Sequence, residues 1–156
     1  MAVMIVTRLL TGMLVALLAA APALAQTPRE DVAQQLKVLT DAKADDGFAP
    51  DVQAIGRSTV LGILEDDATV YLEVTLDKDR EYYVAGRCDT GCADLDTSLL
   101  DPDYNLLVDD ALDNDAPQMT AQPSASGPHL LGVRMTSCAA RICYFGIVIL
   151  SRPARR

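Results

Sequence analysis

The chain reads as an all-β protein, an antiparallel β-sandwich that carries a short N-terminal helix and follows a cleaved export signal. Three observations predict this. From residue 58 onward the apolar period is two rather than helical, in short segments separated by acidic or Gly/Ser/Pro turns with no helix between them. Four cysteines fall in two close pairs beside strand-like segments, Cys88 with Cys92 and Cys138 with Cys143. The first 25 residues have the form of an address rather than of a folded element.

In that address Arg8 precedes an apolar run from Leu9 to Ala20, and Ala23-Leu24-Ala25 supplies the small-residue pattern at which cleavage after Ala25 is expected. The run is shorter than the about 20 apolar residues of a membrane-spanning helix, and no later segment reaches that length. Export makes the protein periplasmic or secreted. There an even number of cysteines is usually paired.

Residues 26–57 form the next unit, a helix and its linker. Thr27-Pro28-Arg29-Glu30 offers a cap, a proline at the first helical position and a capping-box glutamate. Val32, Leu36 and Leu39 then share one face, and Asp45-Asp46-Gly47 with Pro50 ends the pattern. The narrow stripe fits a docked helix and a mobile spacer equally well.

The sandwich spans residues 58–150. Val70, Leu72, Val74 and Leu76 face one way while Tyr71, Glu73 and Thr75 face the other, which is a half-buried strand. Further strands are expected at 59–64, 81–88, 94–100, 105–110, 118–122, 129–136 and 143–150. Glu65-Asp66-Asp67, Asp77-Lys78-Asp79, Asp101-Pro102-Asp103 and Ser124-Ala125-Ser126-Gly127-Pro128 separate several of them. Residues 151–156 read as a disordered basic tail.

The formal net charge is -9, and loss of Arg8 with the signal makes it -10. Such a surface repels nucleic acid and anionic lipid head groups. Tryptophan is absent, so the core rests on Val, Leu and Ile.

Over about Ser58 to Leu150 the order of signals resembles the bacterial pre-peptidase C-terminal (PPC) domain family and its stand-alone periplasmic relatives. The resemblance is carried by the turn before Val70-Tyr71, the strand 82–88, Cys88-Asp89-Thr90-Gly91-Cys92-Ala93-Asp94-Leu95-Asp96, the Asp101–Asn105 turn, Pro117, the Ser-Gly turn and the closing Cys138–Cys143-Tyr144 segment. It implies a jelly-roll β-sandwich of the kind appended to secreted hydrolases, associated with secretion, folding or substrate contact rather than catalysis. The chain departs from the family at Tyr104, where a glycine is usual, at His129, where a tyrosine is usual, and at Thr97, where a leucine is usual.

Each cysteine pair is close enough to close a small loop, so local pairing is the simplest of the three connectivities four cysteines allow. A zinc site of four thiolates and a redox pair are the functional alternatives. Asp89-Thr90-Gly91 is also the signature of aspartic proteases, and Leu130-Leu131-Gly132 supplies a later apolar-apolar-Gly sequence. Asp89 would then form half of a carboxylate dyad in a homodimer.

The acidic clusters make Asp94, Asp96 and Asp110 calcium candidates, because calcium accepts 6–8 oxygen ligands in flexible geometry. Asp101-x-Asp103-x-Asn105 begins like an EF-hand loop but has Leu106 where glycine is needed and Leu112 where the bidentate glutamate belongs. The other reading of these aspartates is as turn caps and solubilising charges. His129, the single histidine, has no nucleophile turn to serve, and no cofactor motif is present. The expected function is therefore a non-catalytic exported module that binds a protein, peptide or glycan, or supports an envelope assembly. An acid protease built on Asp89 is the alternative.

Overall fold

The computed structural model describes residues 26–155, so the export signal read in residues 1–25 lies outside the described residues. Helix α1 (Pro28–Ala44) starts where its cap predicts. The Thr27 side chain accepts from the Glu30 backbone N–H, and the Glu30 carboxylate accepts from that of Thr27. A two-residue strand β1 (Ala49–Pro50) and a one-turn helix α2 (Val52–Ile55) follow, then β2 (Thr59–Glu65), β3 (Ala68–Leu76), β4 (Arg80–Cys88) and β5 (Cys92–Leu100). The last four strands are β6 (Leu106–Asp110), β7 (Gln118–Ala121), β8 (Gly127–Cys138) and β9 (Ile142–Pro153).

Two antiparallel sheets face each other. In the first, β9 lies between β4 and the edge formed by β1 and β2, and β7 closes the far side of β4; in the second the order is β3-β8-β5-β6. Most successive strands cross from one sheet to the other, and this interleaving is the jelly-roll order. The shared core holds Val74, Leu76, Tyr82, Val84, Leu95, Leu99, Leu131, Val133, Ile147 and Ile149. With no tryptophan, branched aliphatic side chains from both inner faces fill it.

The first sheet is covered on its outer face as well. Val32 and Leu36 of α1 are fully buried against Tyr83, Ala85, Val148 and Leu150, with Phe48 completing the layer. Gly146 permits the approach, since a Cβ there would lie 2.6 Å from Leu36 Cδ1 and 2.8 Å from Val32 Cγ1. Two-sided burial explains why 145–150 is a continuous apolar run instead of an alternating one. Each fully buried aliphatic side chain contributes about 1.5–3 kcal/mol, so a stripe of only two or three residues suffices to hold α1. The helix is docked, not a spacer.

The linker after α1 carries structure of its own, because β1 pairs with β9 and Asp51 caps α2 by accepting from the Gln53 and Ala54 N–H groups. One expectation needs correction. The tail read as disordered from residue 151 instead continues β9 through Pro153. Ser151 is buried, donating to Asp51 Oδ2 at 2.6 Å and accepting from Arg80 Nη2 at 2.7 Å. Arg152 lies opposite Glu81 in the ladder, bonds it at 2.8 Å and covers the Phe48 ring. These partners lie far away in sequence, which is why a basic, proline-containing terminus looked solvated.

Candidate functional site

All four cysteines gather at one end of the sandwich. Cys88 ends β4 in the first sheet and Cys92 opens β5 in the second, and the two are bonded with Cα atoms 5.9 Å apart. Cys138 ends β8 and is bonded to Cys143 near the start of β9, with Cα atoms 6.0 Å apart. Each bond therefore ties one sheet to the other. Cys92 and Cys138 are also neighbours in the β5–β8 ladder.

Asp89 sits inside this clasp at 8 % exposure. Its Oδ1 accepts from the Gly91 N–H at 3.1 Å and its Oδ2 from the Tyr144 N–H at 3.0 Å, while its own N–H donates to the Tyr144 carbonyl. Both carboxylate oxygens are committed to backbone donors. This is a loop-fixing carboxylate.

The calcium candidates do not converge. Asp94 lies at an irregularity of β5 and accepts from the Asn114 N–H; burial raises its pKa, with the charges of Asp96 and Asp113 adding to the shift. Asp96 accepts from the Thr136 hydroxyl at 2.5 Å. Asp110 lies opposite the inward-facing Thr97 and accepts from the Leu112 and Gln118 N–H groups. Among the described residues no group of three or more His, Cys, Asp or Glu side chains is placed to hold a metal ion. Asp101 caps its own turn, receiving the Asp103 and Asn105 N–H groups and the Asn105 side-chain amide. His129 is buried, its Nδ1 3.0 Å from the Gly127 carbonyl.

The surface left open is the outer face of the second sheet. Its rows follow from the ladder registers. Tyr71 lies opposite Gly132, Gly132 opposite Ser98, and Ser98 opposite Asp109. On one side runs the row Thr69, Arg134 and Asp96; on the other run Glu73, Leu130, Leu100 and Leu106. The face thus grades from charged to apolar across its width.

Tyr71, on the edge strand β3, is the exposed aromatic side chain of this face, 58 % exposed. Its ring leans over Gly132, where an added Cβ would lie 3.1 Å from Tyr71 Cε1 and 2.5 Å from Ser98 Oγ. Glycine there lets the ring lie against the sheet with its other side to solvent. A cleft of about 320 Å³ adjoins it, lined by Thr69, Tyr71, Asp96, Ser98, Asp109 and Arg134. Arg134 bonds Asp67 at 2.6 Å, which raises its pKa and keeps it charged. The arrangement offers a stacking surface, hydroxyls, carboxylates and a cation.

The alternation of the third strand already pointed Tyr71 outward. Its partners Ser98, Asp109, Gly132 and Arg134 come from three other strands, so no local pattern in the sequence unites them. Tyr104 is a second exposed aromatic, 73 % exposed at a turn tip with φ of 65°. That left-handed backbone is one that glycine adopts most readily.

No protein-family model matches the chain, and no curated protein matches it. Among solved structures it is similar to the crystal structure of Aeromonas hydrophila PliG, a periplasmic lysozyme inhibitor of g-type lysozyme, at 15 % identity and a TM-score of 0.46, over 60 % of this chain and 84 % of that one.

Proposed function

We propose that the protein is an exported, non-catalytic module that binds a protein partner through the open face of its second sheet. The observation that carries this reading is the asymmetry of the sandwich: α1 packs over the outer face of the first sheet, while the second keeps Tyr71 exposed among hydrogen-bonding side chains. Exposed tyrosines with polar surroundings are the groups that protein interfaces favour at their centres.

The face also bears Glu73, Asp96 and Asp109, while Arg134 is already paired with Asp67, on a chain of net charge -9. A cationic protein surface complements it and would be steered toward it at low salt. A glycan is the second reading, favoured by the ring of Tyr71 lying along the sheet, where a sugar could stack. The disulfide clasp and the predicted signal support an oxidising compartment, periplasmic or secreted. Kinship with the PPC family stays a proposal, supported by the jelly-roll order and the two local cysteine clips.

The test is capture of partners from an envelope extract by the purified protein, in parallel with Tyr71→Ala and Asp109→Lys. A cationic protein retained by the wild type, released by salt and lost with both variants is the expected outcome. Soluble cell-wall fragments shifting the Tyr71 resonances, with no protein retained, would favour the glycan. Equal retention by all three proteins would remove this face as the site.

A further inference from the structure

Among the described residues, every sheet edge but one carries a feature that discourages pairing with another chain. Strand β1 contains Pro50, and the four-residue β7 is flanked by Pro117 and Pro123. Strand β6 has an irregular register and carries Asp109 and Asp110. Strand β3 carries Glu73, and α2 packs beside it. These are the usual devices against edge pairing.

Strand β2 has none of them. Thr59-Val60-Leu61-Gly62-Ile63-Leu64-Glu65 pairs with β9 without a register break, contains no proline and bears its one charge at the end. Apart from that ladder, its backbone makes no hydrogen bond among the described residues. Ile63 is 52 % exposed and lies between two apolar hollows of about 570 and 200 Å³, the first shared with Ile142 and the second with Leu61 and Tyr144.

We propose that β2 is a self-association edge, at which a second copy of this chain adds its own β2 antiparallel to form one continuous sheet. The occupant is indicated by charge. With the two-fold axis at Leu61, Ile63 of each copy lies opposite Thr59 of the other, and Glu65 comes level with Arg57, which lies in the bend two residues before β2 begins. Arg57 is exposed and has no carboxylate partner among the described residues, while Glu65 is held only by Arg141 at 3.5 Å, both side chains being well exposed. The strand together with the bend before it is thus complementary to itself when reversed, which is the requirement for a closed dimer. Such a dimer leaves both open faces of the second sheets free and presents them twice.

Sedimentation velocity on the purified chain over an about hundredfold dilution series tests this. The expected result is a monomer–dimer equilibrium that Ile63→Lys weakens about tenfold or more, a lysine on the edge opposing strand pairing. Arg57→Glu and Glu65→Arg should each weaken it, and the two together should restore it. Both of those positions are exposed, so they decide the matter even if the Ile63 variant folds poorly. A wild-type chain that stays monomeric throughout, a dimer indifferent to Ile63→Lys, or a double swap no better than its singles would overturn the proposal.

Discussion

Asp89 and Tyr144 hold each other twice: the Asp89 N–H donates to the Tyr144 carbonyl at 3.0 Å, and the Tyr144 N–H donates to Asp89 Oδ2 at 3.0 Å. One residue lies in the loop closed by Cys88 and Cys92, the other directly after Cys143. The pair therefore joins the two disulfide clips into one clasp across the sheets. An Asp-Thr-Gly sequence that looked catalytic is explained by this structural task.

Asp89→Ala should accordingly lower stability by about 1–3 kcal/mol, because it strands two backbone donors in a largely buried place. Urea unfolding measures this. Partner binding at the open face should survive under native conditions, since Asp89 lies in the clasp and Tyr71 on the sheet surface. Loss of binding by a fully folded variant would contradict the assignment of the site.

The contact of Gly146 with Leu36 makes a separate prediction about α1. Gly146→Val places side-chain atoms where Leu36, Leu61 and Val32 already lie, and overpacking of this kind costs about 1–3 kcal/mol. Limited proteolysis should then cut within Pro28–Ala44 before the sandwich is cleaved. Unchanged protection would mean that the helix is held by other contacts.

Thr97 is 1 % exposed, and its Oγ1 is a buried polar atom without a hydrogen-bond partner. Thr97→Val keeps the shape and removes the hydroxyl, so it should stabilise the protein by about 1 kcal/mol. Thermal unfolding of the two proteins at neutral pH compares them directly. A destabilised valine variant would show that the hydroxyl has a partner the static structure lacks.

Acid should destabilise the fold through several paired carboxylates. The Arg152 guanidinium bonded to Glu81 lowers the pKa of that carboxyl, the Asp79 N–H lowers that of Asp77, and the Asn105 side chain lowers that of Asp101. A carboxyl depressed in the folded state stabilises fully above its unfolded value, and the contribution is lost as pH falls through the folded one. Asp94 runs the other way, since burial raises its pKa and acidification relieves it. Glu30, lowered by its bond to the Thr27 N–H, joins them, so four groups oppose one; the melting temperature should fall as the pH drops below the ordinary carboxylate range of about pH 4, and Glu81→Gln should flatten that limb. A melting temperature that rises on acidification would reverse the balance assigned to Asp94.

Much of the fold was legible because strands and caps are local. The alternation of Val70, Leu72, Val74 and Leu76 is a period-two pattern, and the Thr27–Glu30 capping box fixes its helix start within four residues. The close spacing of the cysteines made local bonds the simplest reading.

What the sequence determined by itself was what backbone period, capping and cysteine spacing encode: strands, a helix start and an all-β class. Tertiary structure alone decided that α1 docks, that Ser151 and Arg152 belong to the sheet, and that the disulfides staple one sheet to the other. It also gathered Tyr71, Ser98, Asp109, Gly132 and Arg134 on one face. Those outcomes depend on contacts between residues a hundred or more positions apart, as with Ser151 and Asp51. Their free energy arises only when distant surfaces leave water together, and no local pattern records which surfaces will meet.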